Sequence, residues 1–106
     1  MRLGVIGGLD RSKADYEQLA ASYGFETEFH QGCMTGRGAR GLEHIVDRCD
    51  IVLIITDLNS HGAVQLARRR LRERGRTPLL VRRCGLSRFA ALLAALQERQ
   101  RAGHAV

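Results

Sequence analysis

The sequence predicts an α/β fold built on a parallel sheet. Three observations carry this reading. Short apolar runs alternate along the chain with longer stretches whose apolar residues recur at i, i+3, i+4 and i+7. One of the short runs, Ile51-Val52-Leu53-Ile54-Ile55, is apolar at every position, as a strand covered on both faces must be. Glycines stand where the period changes, at Gly7-Gly8, Gly24, Gly75 and Gly85.

Taken in order, Arg2 to Ile6 reads as a first strand that ends in Gly7-Gly8. A helix follows from Ser12, with Tyr16, Leu19, Ala20 and Tyr23 on one face. Ser12 and Asp15 make a capping-box-like start, and Gly24 is a C-terminal stop. Phe25 to His30 is the second strand. Gln31 to Gly41 contains Gly32, Gly36, Gly38 and Gly41 and reads as a loop. The second helix comes after it, with Leu42, Ile45, Val46 and Cys49 inward.

Ile51 to Thr56 is the central strand. The third helix runs from near Ser60 to about Arg74, with Val64, Ala67 and Leu71 inward and Arg68, Arg69, Arg70, Arg72 and Arg74 on its other faces. Pro78 opens a fourth strand, Leu79 to Arg83, a place where its missing N–H is tolerated. Cys84-Gly85 turns into the last helix, with Ser87 as expected N-cap and Phe89, Leu92, Leu93 and Leu96 inward. From Gln100 to Val106 the expectation is a frayed tail.

Four strands alternating with four helices imply right-handed crossovers and one three-layer sandwich, Rossmann- or flavodoxin-like, with strand order 2-1-3-4. Residues 1–106 read as a single domain, with no internal repeat and no long linker.

Composition narrows the function classes. The apolar content of 44% is that of an ordinary globular chain. No apolar run approaches the roughly 18 residues that would suggest a membrane span, and Gly7, Gly8 and Asp10 interrupt the N-terminal apolar stretch too early for a secretory signal. Cys33, Cys49 and Cys84 are odd in number and irregular in spacing, which fits a reducing compartment better than a disulfide framework. The expectation is a soluble, cytoplasmic protein. A net charge of +6 points to an anionic partner or ligand, or to a solvated basic face, with the Arg68–Arg76 segment as its source.

Sheets of this type bind ligands at the carboxyl ends of their strands, near the point where strand order reverses. For order 2-1-3-4 that point lies between strands one and three. The facing segments are then Gly7-Gly8-Leu9-Asp10-Arg11 and Thr56-Asp57-Leu58-Asn59-Ser60-His61. His30-Gln31-Gly32-Cys33 flanks them on one side and Arg82-Arg83-Cys84-Gly85 on the other.

Two chemistries are open at that edge. His30 and His61, assisted by Cys33 or Cys84, are candidate ligands for a transition metal or a haem. His30 with Cys33 has an H-x-x-C spacing, and His61 with Cys84 comes from adjacent strands. All four residues on one ion would have to bridge about 14 Å between strands two and four, so a homodimer is one way to complete the shell. Haem needs one or two axial ligands and is less constrained.

The second chemistry is a phosphate- or nucleotide-type anion held by Gly7, Gly8, Arg11, Asp57, Asn59 and Ser60, at the start of a helix. The Gly7-Gly8 turn carries neither the dinucleotide fingerprint nor the P-loop pattern. Cys49 reads as core, and His44 and His104 as solvent-facing or tail residues.

Catalysis is less well supported. Asp57, Ser60 and His61 are too close in sequence for a hydrolase triad, and no G-x-S-x-G elbow is present. His61 as a general base beside Asp57 is the enzyme reading, ranked behind both binding readings because no complete constellation is visible. Two tyrosines and three phenylalanines, none within the arginine run, argue against base readout of a nucleic acid and leave phosphate-backbone contact open.

Gly7-Gly8-x-x-Arg11, His30-x-Gly32, Cys49-Asp50-x-Val52, Thr56-Asp57-x-x-Ser60-His61, a basic helix and Gly85-Leu86-Ser87 together resemble a bacterial family known only as domain of unknown function 2325. The resemblance spans about residues 3 to 96, and T-D-x-x-S-H is its most specific part. It implies a small α/β domain without an assigned activity, and it singles out His30, Ser60 and His61. Leu58 and Asn59 stand where members often carry a cysteine.

The leading expectation is a small ligand-binding or sensing domain that holds a metal ion or haem through His30 and His61. The alternative is a regulatory module that binds phosphate or nucleotide.

Overall fold

The computed structural model describes residues 1–7, 13–30, 32, 37–56, 61–82 and 85–104, with side chains described as far as residue 100. Its elements are β1 (Arg2–Ile6), α1 (Lys13–Ser22), β2 (Glu26–His30), α2 (Gly38–Arg48), β3 (Ile51–Ile55), α3 (His61–Glu73), β4 (Leu79–Val81) and α4 (Leu86–His104). The strands form one parallel sheet in the order β2-β1-β3-β4, so the expected α/β sandwich and its strand order are both present.

Alternation along the two central strands builds two cores. Leu3 and Val5 of β1 and Leu53 and Ile55 of β3 pack with Ala20 of α1 and Phe89, Leu93 and Leu96 of α4. Ile6 of β1 and Val52 and Ile54 of β3 face the other way, onto Leu42, Ile45 and Val46 of α2 and Ala63, Ala67 and Leu71 of α3. Successive side chains of a strand point to opposite faces, so a strand with helices on both sides is apolar at every position. Burying each large aliphatic side chain stabilises the fold by about 1.5–3 kcal/mol.

On the α2 side, β1 presents Gly4. A Cβ there would lie 2.7 Å from Cγ2 of Ile45 and 3.1 Å from Sγ of Cys49, so the missing side chain sets how closely α2 approaches the sheet. Cys49 is buried beside it, in the core as expected.

Several boundaries differ from the sequence reading, and β2 begins at Glu26 rather than Phe25 while β3 ends at Ile55 rather than Thr56. α2 begins at Gly38, inside the stretch that its glycines mark as loop. Gly38 and Gly41 lower helix propensity, but the Gly41 N–H already bonds the Arg37 carbonyl at 2.9 Å, and packing of Leu42, Ile45 and Val46 outweighs propensity. Ser87 is not the N-cap of α4. The helix starts at Leu86, and the Gly85 carbonyl accepts the first helical bond, from Phe89 N–H at 2.9 Å. β4 stops at Val81 rather than Arg83.

A further difference is the tail. α4 continues to His104 where fraying from Gln100 was expected. Glu98, Arg99, Gln100, Arg101 and Ala102 are all good helix formers, and no breaker precedes Gly103. Among the described residues, no helix is long and apolar enough to cross a membrane.

Candidate functional site

The carboxyl ends of all four strands define one edge of the sheet. β1 and β3 are directly paired at its centre, with Ile6 beside Ile54, and β2 and β4 flank them. Gly7 follows β1 with a φ of 97°, a left-handed turn that glycine adopts without steric cost. Its N–H donates to the His30 carbonyl at 2.6 Å, which carries the β1–β2 ladder one residue past the last strand pair. On the other side of the edge, Val81 O accepts from both the N–H (2.7 Å) and the hydroxyl (3.2 Å) of Thr56, and this ties the end of β3 to that of β4.

His30 ends β2 and is half-buried. Its Nε2 donates to the Gly38 carbonyl at 2.7 Å, and its Nδ1 accepts from the Gly32 N–H at 3.0 Å. The two bonds together select the Nε2–H tautomer and occupy both ring nitrogens with backbone groups. A metal could reach this ring only by displacing one of them.

His61 differs. It is the first residue of α3, it is exposed, and its Nε2 lies 2.9 Å from Nε2 of Gln65, one helical turn on. With the amide nitrogen as donor, this pair leaves Nδ1 of His61 carrying the proton. Because β1 separates β2 from β3, the strand ends that lead to His30 and His61 are about 10 Å apart at the backbone.

Among the described residues, no group of three or more His, Cys, Asp or Glu side chains could hold a metal ion. Gly8, Arg11, Cys33, Asp57, Asn59, Ser60 and Cys84 lie outside the described residues. Of the candidate residues, Gly7, His30 and His61 are thus placed on one edge, and Gly7 and His30 are in contact.

A second feature starts near this edge. Between α2 and α3 runs a groove of about 760 Å³, lined by Ala39 and Glu43 of α2 and by Gln65, Arg68, Arg69 and Arg72 of α3, among others. The five arginines in and directly after α3 divide into two sets. Arg70 forks onto Asp47 of α2 through Nε and Nη2 (3.1 and 2.9 Å) and approaches Glu43 at 3.3 Å, and Arg74 reaches Asp47 at 2.8 Å.

The hydrogen bonds from Arg70, together with the charges of Arg70 and Arg74, hold the Asp47 carboxyl below its ordinary range against a smaller opposing effect of burial. Arg68, Arg69 and Arg72 are exposed. Among the described residues, Arg68 and Arg72 have no acidic partner, and Arg69 has a loose contact with Glu73 at 3.9 Å. The sequence reading placed all five arginines on the outer faces of this helix without dividing them. A finer clue was present: Arg70 and Arg74 match Glu43 and Asp47 in their i, i+4 spacing, as two facing stripes would.

The sequence model of a bacterial family matches residues 2–96, nearly the whole chain and the whole sheet edge. The family is described as an uncharacterised protein conserved in bacteria, DUF2325. The chain belongs to this family. Neither the curated proteins nor the solved structures gave a match. Membership in DUF2325 therefore agrees with the fold and brings no activity with it.

Proposed function

We propose that this DUF2325 chain is a small binding or sensing domain for a phosphate-type anion, free or as part of a nucleotide, taken up at the carboxyl edge of its sheet. The observation that carries the reading is the left-handed turn at Gly7, made at the point where strand order reverses. A glycine there lets backbone approach a ligand closely. α3, which follows β3, has no acidic residue in its first turn, whereas α1, which follows the Gly7 turn, carries Asp15 there, so of these two helix starts that of α3 suits an anion. Gly8, Arg11, Asp57, Asn59 and Ser60 belong to the proposal through their places in the sequence directly after β1 and β3.

His30 supports this reading over the metal reading, because both of its ring nitrogens serve backbone groups. A metal or haem reading rests on His61, whose exposed ring meets the Gln65 side chain, with Cys33 and Cys84 as its thiol candidates.

Calorimetric titration with inorganic phosphate, ATP and GTP tests the proposal, alongside elemental analysis and an absorption spectrum of the freshly purified protein. Binding of one of these anions that is lost in Arg11→Ala and kept in His30→Gln supports it. A stoichiometric metal, or a Soret band, that disappears in His61→Ala would replace it with the metal or haem reading.

A further inference from the structure

The arginines of α3 that α2 leaves unpaired form a surface of their own, distinct from the sheet edge. We propose that the groove between α2 and α3 is a docking surface for the phosphate backbone of a nucleic acid, gripped by Arg68, Arg69 and Arg72 with Gln65 beside them. Three observations lead there.

The first is charge. Asp47 and Glu43 are taken up by Arg70 and Arg74, so the carboxylates that line or border the groove already have partners. The guanidinium groups of Arg68 and Arg72 are left without an acidic neighbour among the described residues, in a chain whose net charge is +6. A planar fork with five N–H donors suits phosphate oxygens in particular.

The second is spacing and openness. Arg68 and Arg72 are one turn apart, about 6 Å along the helix axis. Phosphates on one strand of a duplex recur about every 3.4 Å along its axis, so alternate phosphates lie at about 7 Å. Gln65, Arg68, Arg69 and Arg72 are all exposed, which suits a polymer lying along the groove better than a small molecule enclosed in it.

The third is what the groove lacks. Among the described residues that line it, the largest apolar one is the half-buried Leu66 and none is aromatic. A protein partner would need an apolar or aromatic anchor, and base recognition in single strands would need a stacking platform. Backbone contact needs neither, and it binds without sequence preference.

The test is fluorescence anisotropy with a labelled DNA duplex of arbitrary sequence across about 50–200 mM salt, using wild type, the triple variant R68A/R69A/R72A, and Arg82→Ala as an exposed arginine elsewhere. A duplex RNA, a single strand and a polyglutamate peptide are run in parallel. The expected result is a linear fall of log affinity with log salt. The triple variant should weaken binding at low salt at least ~10-fold and reduce the slope by about 2.7, roughly 0.9 for each phosphate that is no longer neutralised.

Arg82→Ala should change the slope by less than about 0.9, the share of a single phosphate. Tighter binding of RNA than DNA, with the same weakening in the triple variant, keeps the proposal and names the polymer. Three results overturn it: no duplex binding at the lowest salt, an unchanged slope in the triple variant, or groove-dependent binding of polyglutamate in preference to either duplex. These residues are exposed, and circular dichroism with a thermal midpoint near that of wild type verifies that the variants fold.

Discussion

His30 donates from Nε2 to the carbonyl of Gly38 at 2.7 Å, and so joins the last residue of β2 to the first residue of α2. The same ring takes the N–H of Gly32 on Nδ1 at 3.0 Å. A side chain that closes the connection between two elements in this way acts as a staple. His30→Ala should lower stability by about 1–3 kcal/mol, because it leaves a part-buried donor and acceptor without their partner. Urea denaturation of the two proteins gives the difference, and the metal content should be the same in both. A His30→Ala protein as stable as wild type but depleted in metal would make the ring a ligand instead.

Asp47 accepts from Arg70 and Arg74 across the α2–α3 contact, and those partners lower its carboxyl pKa below 3.8 in the folded chain. The folded state thus binds the proton less readily than the unfolded state. Its contribution is fully present above pH 3.8 and is lost as pH falls through the lower folded value. Urea midpoints measured from about pH 5 downward should fall more steeply for wild type than for Asp47→Asn, with the curves parallel at neutral pH. Parallel curves throughout the acid range would mean that the pair contributes nothing.

Much of this fold was legible because burial on both faces leaves a plain mark. An all-apolar β3, glycines after β1 and α1, and helical spacing in between were enough to order the sheet. What was not legible depended on contacts between elements. The first turn of α2 reads as loop from Gly38 and Gly41, and the packing of Leu42 and Ile45 makes it helix. Ser87 has the right chemistry for a cap, but Gly85 takes the position because the helix starts two residues earlier, at Leu86.

At the site, sequence could bring His30 and Gly7 to one edge, since topology fixes where strands end. It could not say that the His30 ring turns onto Gly38, since side-chain direction depends on where α2 begins. The division of the α3 arginines was half visible, in the matched spacing of Arg70/Arg74 and Glu43/Asp47. Which stripe faces α2 is decided by the helix pairing.

Cys49 sits against Gly4 in the core, with Sγ 3.5 Å from Oε2 of Glu28. Burial first, and the Glu28 charge next, push its thiol from 9.0 up to about 12. The folded state therefore keeps a proton that the unfolded state would release, and stability from this group is lost as pH rises from 9 through about 12. In that window wild type should lose stability faster than Cys49→Ala, which has no thiol to ionise. A C33S/C84S protein, with Cys49 as its one thiol, should not react with a thiol reagent near pH ~8 until denaturant unfolds it. Rapid native labelling would show that the core opens locally at Gly4.

Arg76 supplies the end of α2 from outside the helix. Its Nη1 donates to the Val46 carbonyl at 2.8 Å, and its Nη2 donates to the Cys49 and Asp50 carbonyls at 2.6 and 2.8 Å. The last carbonyls of a helix lack intrahelical partners and carry the negative end of its dipole, so a cation there satisfies hydrogen bonds and charge together. It also fixes the segment after α3 against the start of β3, because Asp50 directly precedes that strand. Arg76→Ala should cost about 1.5–3 kcal/mol, the range for hydrogen bonds to a charged group. Arg76→Lys keeps the charge but loses the fork, and should recover less than half of that difference. Chemical denaturation of the three proteins measures both numbers. Hydrogen exchange should show the effect concentrated at the C-terminal turn of α2 and the two residues that lead into β3, where the acceptors of Arg76 lie. A lysine variant as stable as wild type would mean that charge at the helix end, and not the fork, holds this corner.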